Sequence, residues 1–404
     1  MRLSGAQDLT PSPLWKASTA FYFTRNANDR IAIASAALDK AVSMLQPNGQ
    51  FNDSTLDIPD RLYAQMAEFD RLTNQTTYNQ TLKQCLVLAE SISPGFLTTS
   101  VRSLSCKYFR TTDIPLLNYG YAAARAYNAY QDPDFIPLAV TSWTTAKQYT
   151  ISKEQAISGT INVKKSEIAP SCQGVPLTGV GQSTDPTDAY LYSLASGFFL
   201  VVSALLAEAT SNQTYLDAAI ESATFIQSHL LNPSNTVMDF LSSNTSQHCS
   251  LDTSAFSTNT GIFVEGLVIL ADITCNTSTE ALLQSVIVTM TTNLSWQELD
   301  GILDGAYVFC DCISQSSLLY FNGEVNSDGG HYIVRALAAL YERNMTSSNL
   351  REYIKEYIGM QYNAVIEKTT LGGSNIYGIP WTGPPRTMFS SSTTFGVHFL
   401  QNFL

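Results

Sequence analysis

Two carboxylates stand where acid–base chemistry is possible. Asp113 immediately precedes Ile114-Pro115 at the start of a helical stretch, and Glu265 sits one turn into the otherwise apolar run from Gly261 to Ala271. A charged group in an apolar helix is costly unless it is paired or wetted by a cleft, and desolvation would raise the pKa of Glu265 toward that of a usable general acid. Such a pair suits cleavage of a glycosidic bond. One group protonates the leaving oxygen, and the other acts as nucleophile or base at about 5–5.5 Å for retention or about 6.5–9.5 Å for inversion. Each residue also has a plainer reading. Asp113 can be an N-cap, with Pro115 in the first helical turn. Glu265 can be the structural partner of an arginine such as Arg125 or Arg335.

Further residues are candidates for substrate contact. Asp185 and Asp188, in Ser183-Thr184-Asp185-Pro186-Thr187-Asp188, read as a turn and cap or as ligands for a sugar hydroxyl. His331 follows Asp328-Gly329-Gly330 near a helix start, where a cap-region or surface role competes with proton transfer. Trp381, in the Gly/Pro loop Tyr377 to Gly383, can stack on a pyranose ring or pack over the end of the fold. Other chemistries lack their residues. There is no Gly-rich phosphate loop, no Gly-x-Ser-x-Gly elbow and no His-Glu-x-x-His pair. Cys310-Asp311-Cys312 has the wrong spacing for a zinc finger. Neither a metal nor a cofactor is expected.

The elements that must position these residues are helices in pairs. In the stretch from Asp188 to Leu231 an uncharged arm, Ala189 to Ala207, is followed by the polar corner Thr210 to Thr214. An amphipathic arm comes next, with Leu216, Ile220, Ala223 and Ile226 expected on its buried stripe. The same grammar recurs with corners near residues 74, 132, 276 and 346, spaced by about 60 to 80 residues. With a first helix from Asn28 to Leu45, the chain should hold about twelve helices, and no run shows the alternation of a sheet. Inner and outer helical layers closed into a ring make an all-α (α/α)6 toroid, a single domain over residues 1–404. The long connections, such as Ser152 to Thr187 and Asn232 to Thr260, should emerge at one end of the ring. Long ordered loops are usually functional, so a cleft is expected there.

Composition narrows the partners. The 404 residues carry a net charge of −12, from 34 acidic against 22 basic side chains, which excludes nucleic acid as a partner and disfavours an anionic polysaccharide lyase substrate. The uncharged arm approaches the length of a membrane span. Its Tyr, Ser and Gly residues and the absence of Lys or Arg flanks argue for a buried helix instead, so no membrane span is expected. Eight Asn-x-Ser/Thr sequons and a surface rich in Ser, Thr and Asn point to secretion, although the chain begins without a signal peptide. Of seven cysteines, Cys106, Cys172, Cys249, Cys310 and Cys312 lie in loop-like stretches suited to disulfides, and the odd total leaves at least one unpaired. A monomer is expected.

Several segments resemble glycoside hydrolase family 76, the endo-α-1,6-mannanases with an (α/α)6 fold, and in particular its divergent secreted fungal relatives. Thr258 to Leu267 (TNTGIFVEGL) looks like the family's Tyr-Asn-Gln-Gly-apolar segment, and Phe199 to Tyr215 like its Ala-Arg-Leu-Tyr helix and turn. Asn118 to Ala139 is similar to the segment after the family's catalytic aspartate pair. The resemblance implies a polysaccharide or oligosaccharide substrate and Asp113 as a catalytic group; Glu265 is the second catalytic candidate on its own position in the apolar helix. The resemblance places Asn118, Tyr119 and Asn259 among the substrate-binding positions. Thr112-Asp113 stands where the family has two adjacent aspartates, so one carboxylate of that pair is kept. Two functions follow: a hydrolase or transglycosylase acting on α-mannan or a related cell-wall polysaccharide, or a glycan-binding protein that kept the fold without turnover.

Overall fold

Polar corners that interrupt apolar and amphipathic runs become tight turns between antiparallel helices. The computed structural model describes residues 22–385 apart from 53–58, 98–113, 162, 164–165, 170–171, 173–180, 182–187, 245–246, 277, 305, 310–323, 328–329, 344–345 and 379–380. The helices are α1 (Ala27–Val42), α2 (Pro59–Thr73), α3 (Asn79–Ile92), α4 (Ile114–Tyr130), α5 (Phe135–Lys147), the short α6 (Lys153–Ser158), α7 (Ser193–Thr210), α8 (Gln213–Phe225), α9 (Ser257–Thr274), α10 (Ser278–Thr292), α11 (Gly330–Glu342) and α12 (Ser348–Lys368). Helices α2, α4, α7, α9 and α11 pack side by side in that order as the inner layer, and α1, α3, α5, α8, α10 and α12 lie outside them. The architecture is the (α/α)6 toroid expected from the repeated pairs.

The inner helices run in the same direction. Near their N-termini Gly197 of α7 touches Ile262 of α9, and Gly261 of α9 touches Tyr332 of α11. At their C-termini Arg343, just past α11, bridges Glu208 of α7 and Asp272 of α9 at 2.7 and 2.6 Å. Arg71 of α2 reaches Glu342 of α11 at 2.8 Å, so an ion pair joins the first and last inner helices described. On the outside, the backbone and side chain of Thr24 donate to Asn363 of α12, which ties the start of the described chain to its last helix.

Inner-helix burial explains the missing charge in α7. It is long and apolar enough to cross a membrane, and 78% of it is buried inside the fold. A left-handed Ser211 (φ 53°) ends it, and the Asn212 side chain then caps α8 by accepting from the Thr214 N–H at 2.9 Å. Of the expected stripe, Ala223 and Ile226 are buried and Leu216 is half-buried against the core, and one residue departs from it. Ala218, Ala219, Ser222, Ala223 and Phe225 face the core, whereas Ile220 is 42% exposed. Small residues let the outer helix approach α7 closely, so size as well as hydrophobicity sets the phase.

The expectation of no sheet also needs correction. Among the described residues, three two-stranded antiparallel ribbons stand in the connections: β1 (Thr160–Ile161) with β2 (Ser166–Glu167), β3 (Tyr190–Tyr192) with β4 (Phe240–Ser242), and β5 (Ala306–Phe309) with β6 (Glu324–Ser327). Strands of two to four residues are too short to leave a period-two signature.

Candidate functional site

The β3–β4 ribbon builds the loop end of the ring. Its register sets Tyr192 opposite Phe240 and Tyr190 opposite Ser242, and this brings Tyr190, Tyr192 and Phe240 into one aromatic cluster, with the Tyr190 and Phe240 rings 4.3 Å apart. Tyr190 and Phe240 are both half-buried, so part of the cluster faces outward. Asp188 lies beneath it. One carboxylate oxygen accepts from the Tyr190 N–H and the other from the Tyr192 hydroxyl, each at 2.9 Å. Asp188 therefore orients the tyrosines.

Asp239, which the sequence did not single out, sits where two inner helices begin. Its carbonyl accepts from the N–H of Ser193, the first residue of α7, and its side chain accepts from Asn259 in the first turn of α9 at 3.1 Å. Burial pushes the Asp239 carboxyl up to about 6. The Asn259 amide opposes that shift and the charge of Asp252 adds to it. A carboxyl that titrates there is partly protonated in mild acid and can deliver a proton. Nothing local in Val237-Met238-Asp239-Phe240 signals this. The burial comes from α7 and α9, each distant in sequence.

Glu265 lies elsewhere. It is fully buried on the ring axis, half-way along α9, and each carboxylate oxygen is paired: Oε1 with Arg125 at 2.8 Å and the Tyr121 hydroxyl at 2.9 Å, Oε2 with Arg335 at 2.6 Å. Burial alone would raise its pKa. The two guanidiniums and the hydrogen bonds outweigh that and hold the pKa below the usual glutamate range. A general acid needs the opposite shift, so the geometry matches the structural-partner alternative and corrects the expectation of a raised pKa.

The other expected residues fall into three groups. Asn259 and Asp188 share the loop end with Asp239. His331 and Trp381 meet at the start of α11: His331 is its second residue and is buried, with its ring 3.9 Å from that of Tyr332. A Cβ on Gly330 would stand 3.5 Å from the Trp381 ring, which is only 3% exposed and packs over the barrel end. Asn118 and Tyr119 lie in the first two turns of α4. Tyr119 is fully buried, with its ring stacked on Phe96 at 5.0 Å, and offers no face to a ligand. Asp113 and Asp185 lie outside the described residues. Among the described residues, no group of three His, Cys, Asp or Glu side chains is arranged to hold a metal ion.

A disulfide fixes the connection that carries this site. Cys172 and Cys249 are joined across 77 residues, and they link the segment before α7 to the turn after β4. Such a bond suits an oxidising compartment.

Comparison with known proteins agrees with the architecture. The GH76A α-1,6-mannanase from Salegentibacter sp. HEL1_6 superposes with a TM-score of 0.69 at 16% identity over 93% of this chain and 99% of that one. An inactive variant of it has been solved in complex with α-1,6-mannotetrose. Dfg5 from Chaetomium thermophilum, solved in complex with glucosamine, superposes with a TM-score of 0.69 at 14% identity over 95% of this chain and 91% of that one. A GH76 α-mannanase of Bacteroides thetaiotaomicron gives 0.63 at 14% identity, over 94% and 95%. No curated protein sequence matches the chain. At these identities the structures speak for the fold. The family model for glycosyl hydrolase family 76, however, matches residues 181–394, more than half of the chain and the part that carries Asp188, Asp239 and Asn259, so the chain belongs to glycosyl hydrolase family 76.

Proposed function

We propose that the protein is a secreted glycoside hydrolase or transglycosylase acting on α-mannan or a related cell-wall polysaccharide at the loop end of the ring. The observation that carries the reading is Asp239: a carboxyl raised to about 6 and held by Asn259 between the starts of two inner helices. In this reading Asp239 is the acid that protonates the leaving oxygen. Asp113, the aspartate kept from the family's pair, is the second carboxylate. Tyr190 and Phe240 present aromatic surface on which a sugar ring can stack. Family membership supports the reaction class, and the substrates named for the mannanases of similar fold support α-mannan.

The test is release of reducing ends from α-1,6-mannan by the wild type, Asp239→Asn and Asp113→Asn. Loss of about 10²-fold or more in kcat in both variants, with a melting temperature no lower than that of the wild type at the assay pH, is the expected outcome. Full activity in Asp239→Asn removes it from the mechanism. The replacement of an aspartate by Thr112 favours a second reading, a glycan-binding protein without turnover. Binding of mannooligosaccharides by the wild type with no release of reducing ends would establish it.

A further inference from the structure

The end of the ring opposite the candidate site carries its own chemistry. Asn74 and Asn212 stand at two of the helix corners there, both exposed, in the sequons Asn74-Gln75-Thr76 and Asn212-Gln213-Thr214. Asn276, in Asn276-Thr277-Ser278, is exposed at a third. Asn212 spends its Oδ1 on the Thr214 N–H as the cap of α8, so the Nδ2 amide takes no part in the bond that holds the helix. Beside it lies an open hollow of about 410 Å³ between the α7–α8 and α9–α10 corners. Leu216 and Ile273 give the hollow apolar surface, while Glu208 and Asp272, held by Arg343, keep lone pairs for further donors. An N-acetylhexosamine presents a methyl group and hydroxyl donors, which matches both halves of that lining.

We propose that Asn212 carries an N-linked glycan whose first sugar rests in this hollow, and that Asn74 carries a second glycan at the same end. The inference rests on the reading that the chain enters the secretory route. There a lipid diphosphate-linked oligosaccharide is the donor. The bond from the anomeric carbon to the diphosphate oxygen breaks, the new bond forms to Asn Nδ2, one amide proton is lost, and the lipid diphosphate leaves. Glycans at the corners would sheathe the closed end of the ring and leave the loop end open to a polymer.

The full chain is secreted from a eukaryotic host and mapped by mass spectrometry after enzymatic release of N-glycans, which converts each occupied Asn to Asp. Conversion at Asn212 and Asn74 is expected. Thr214→Ala should lose one glycan without loss of folding, because the cap uses the Thr214 backbone N–H and not its hydroxyl. Release at Asn212 should be several-fold slower than at Asn74 in the folded protein and equal after denaturation; equal rates in the folded protein overturn the seating. Secreted protein with the Cys172–Cys249 disulfide formed and Asn212 unmodified overturns the proposal, and so does failure to enter the secretory route. A mannan-release assay on the same samples separates the two readings. Activity without glycan refutes the modification alone, and glycan without activity refutes the proposed function alone.

Discussion

Glu265 is fully buried and Asp239 half-buried, and their surroundings drive the two carboxyls in opposite directions. Two arginines hold Glu265 ionised, so replacing its carboxylate leaves both guanidiniums buried without their partner. Glu265→Gln should therefore cost about 3–5 kcal/mol of stability in denaturant titrations, with little change in the specific activity of the folded protein. A large loss of kcat without loss of stability would return Glu265 to the catalytic site. For Asp239 the folded pKa of about 6 lies above the ordinary aspartate value. Its contribution is thus fully present below that ordinary value, near 4, and is lost as pH rises through about 6. Asp239→Asn should raise the melting temperature relative to wild type more at pH 7 than at pH 4. If Asp239 is the acid, kcat/KM of the wild type should fall above about pH 6. The arginine partners of Glu265 were visible in the sequence because all three lie on apolar helical runs. Asp239 was not, because its burial depends on packing between segments that only the fold brings together.

At the scale of elements, helix pairing was legible because each corner breaks a strong hydrophobic pattern with polar, turn-favouring residues. The exact phase of α8 was legible only in part. Ile220 faces solvent while alanines fill the interface, so Ile220→Thr should change stability by no more than about 0.5 kcal/mol in a thermal melt, whereas Phe225→Ala, fully inside, should cost about 3–5 kcal/mol. Close approach also governs α9 and α11. A Cβ on Gly261 would lie 2.6 Å from the Tyr332 backbone carbonyl carbon, and the two helices would have to separate. Gly261→Ala should destabilise by about 1–3 kcal/mol and, because Asn259 lies two residues upstream, should also shift the pH profile of activity.

For the whole molecule, stability and function meet in the connections. Removing the Cys172–Cys249 disulfide by Cys249→Ser frees a 77-residue loop that carries Asp188 and Asp239. A loss of about 2–5 kcal/mol is expected in denaturant titrations, with weaker sugar binding before global unfolding. By itself the sequence determined the toroid, because a helical repeat of apolar and amphipathic arms buries both faces of the inner layer only when it stacks and closes. It also determined which end carries the long connections. Only the tertiary structure decided which neighbours each carboxylate has. A pKa is set by burial and by charges brought within a few ångströms; for Glu265 those charges come from helices 140 and 70 residues away, and for Asp239 the neighbours are Asn259 on α9 and Asp252 in the connection before it.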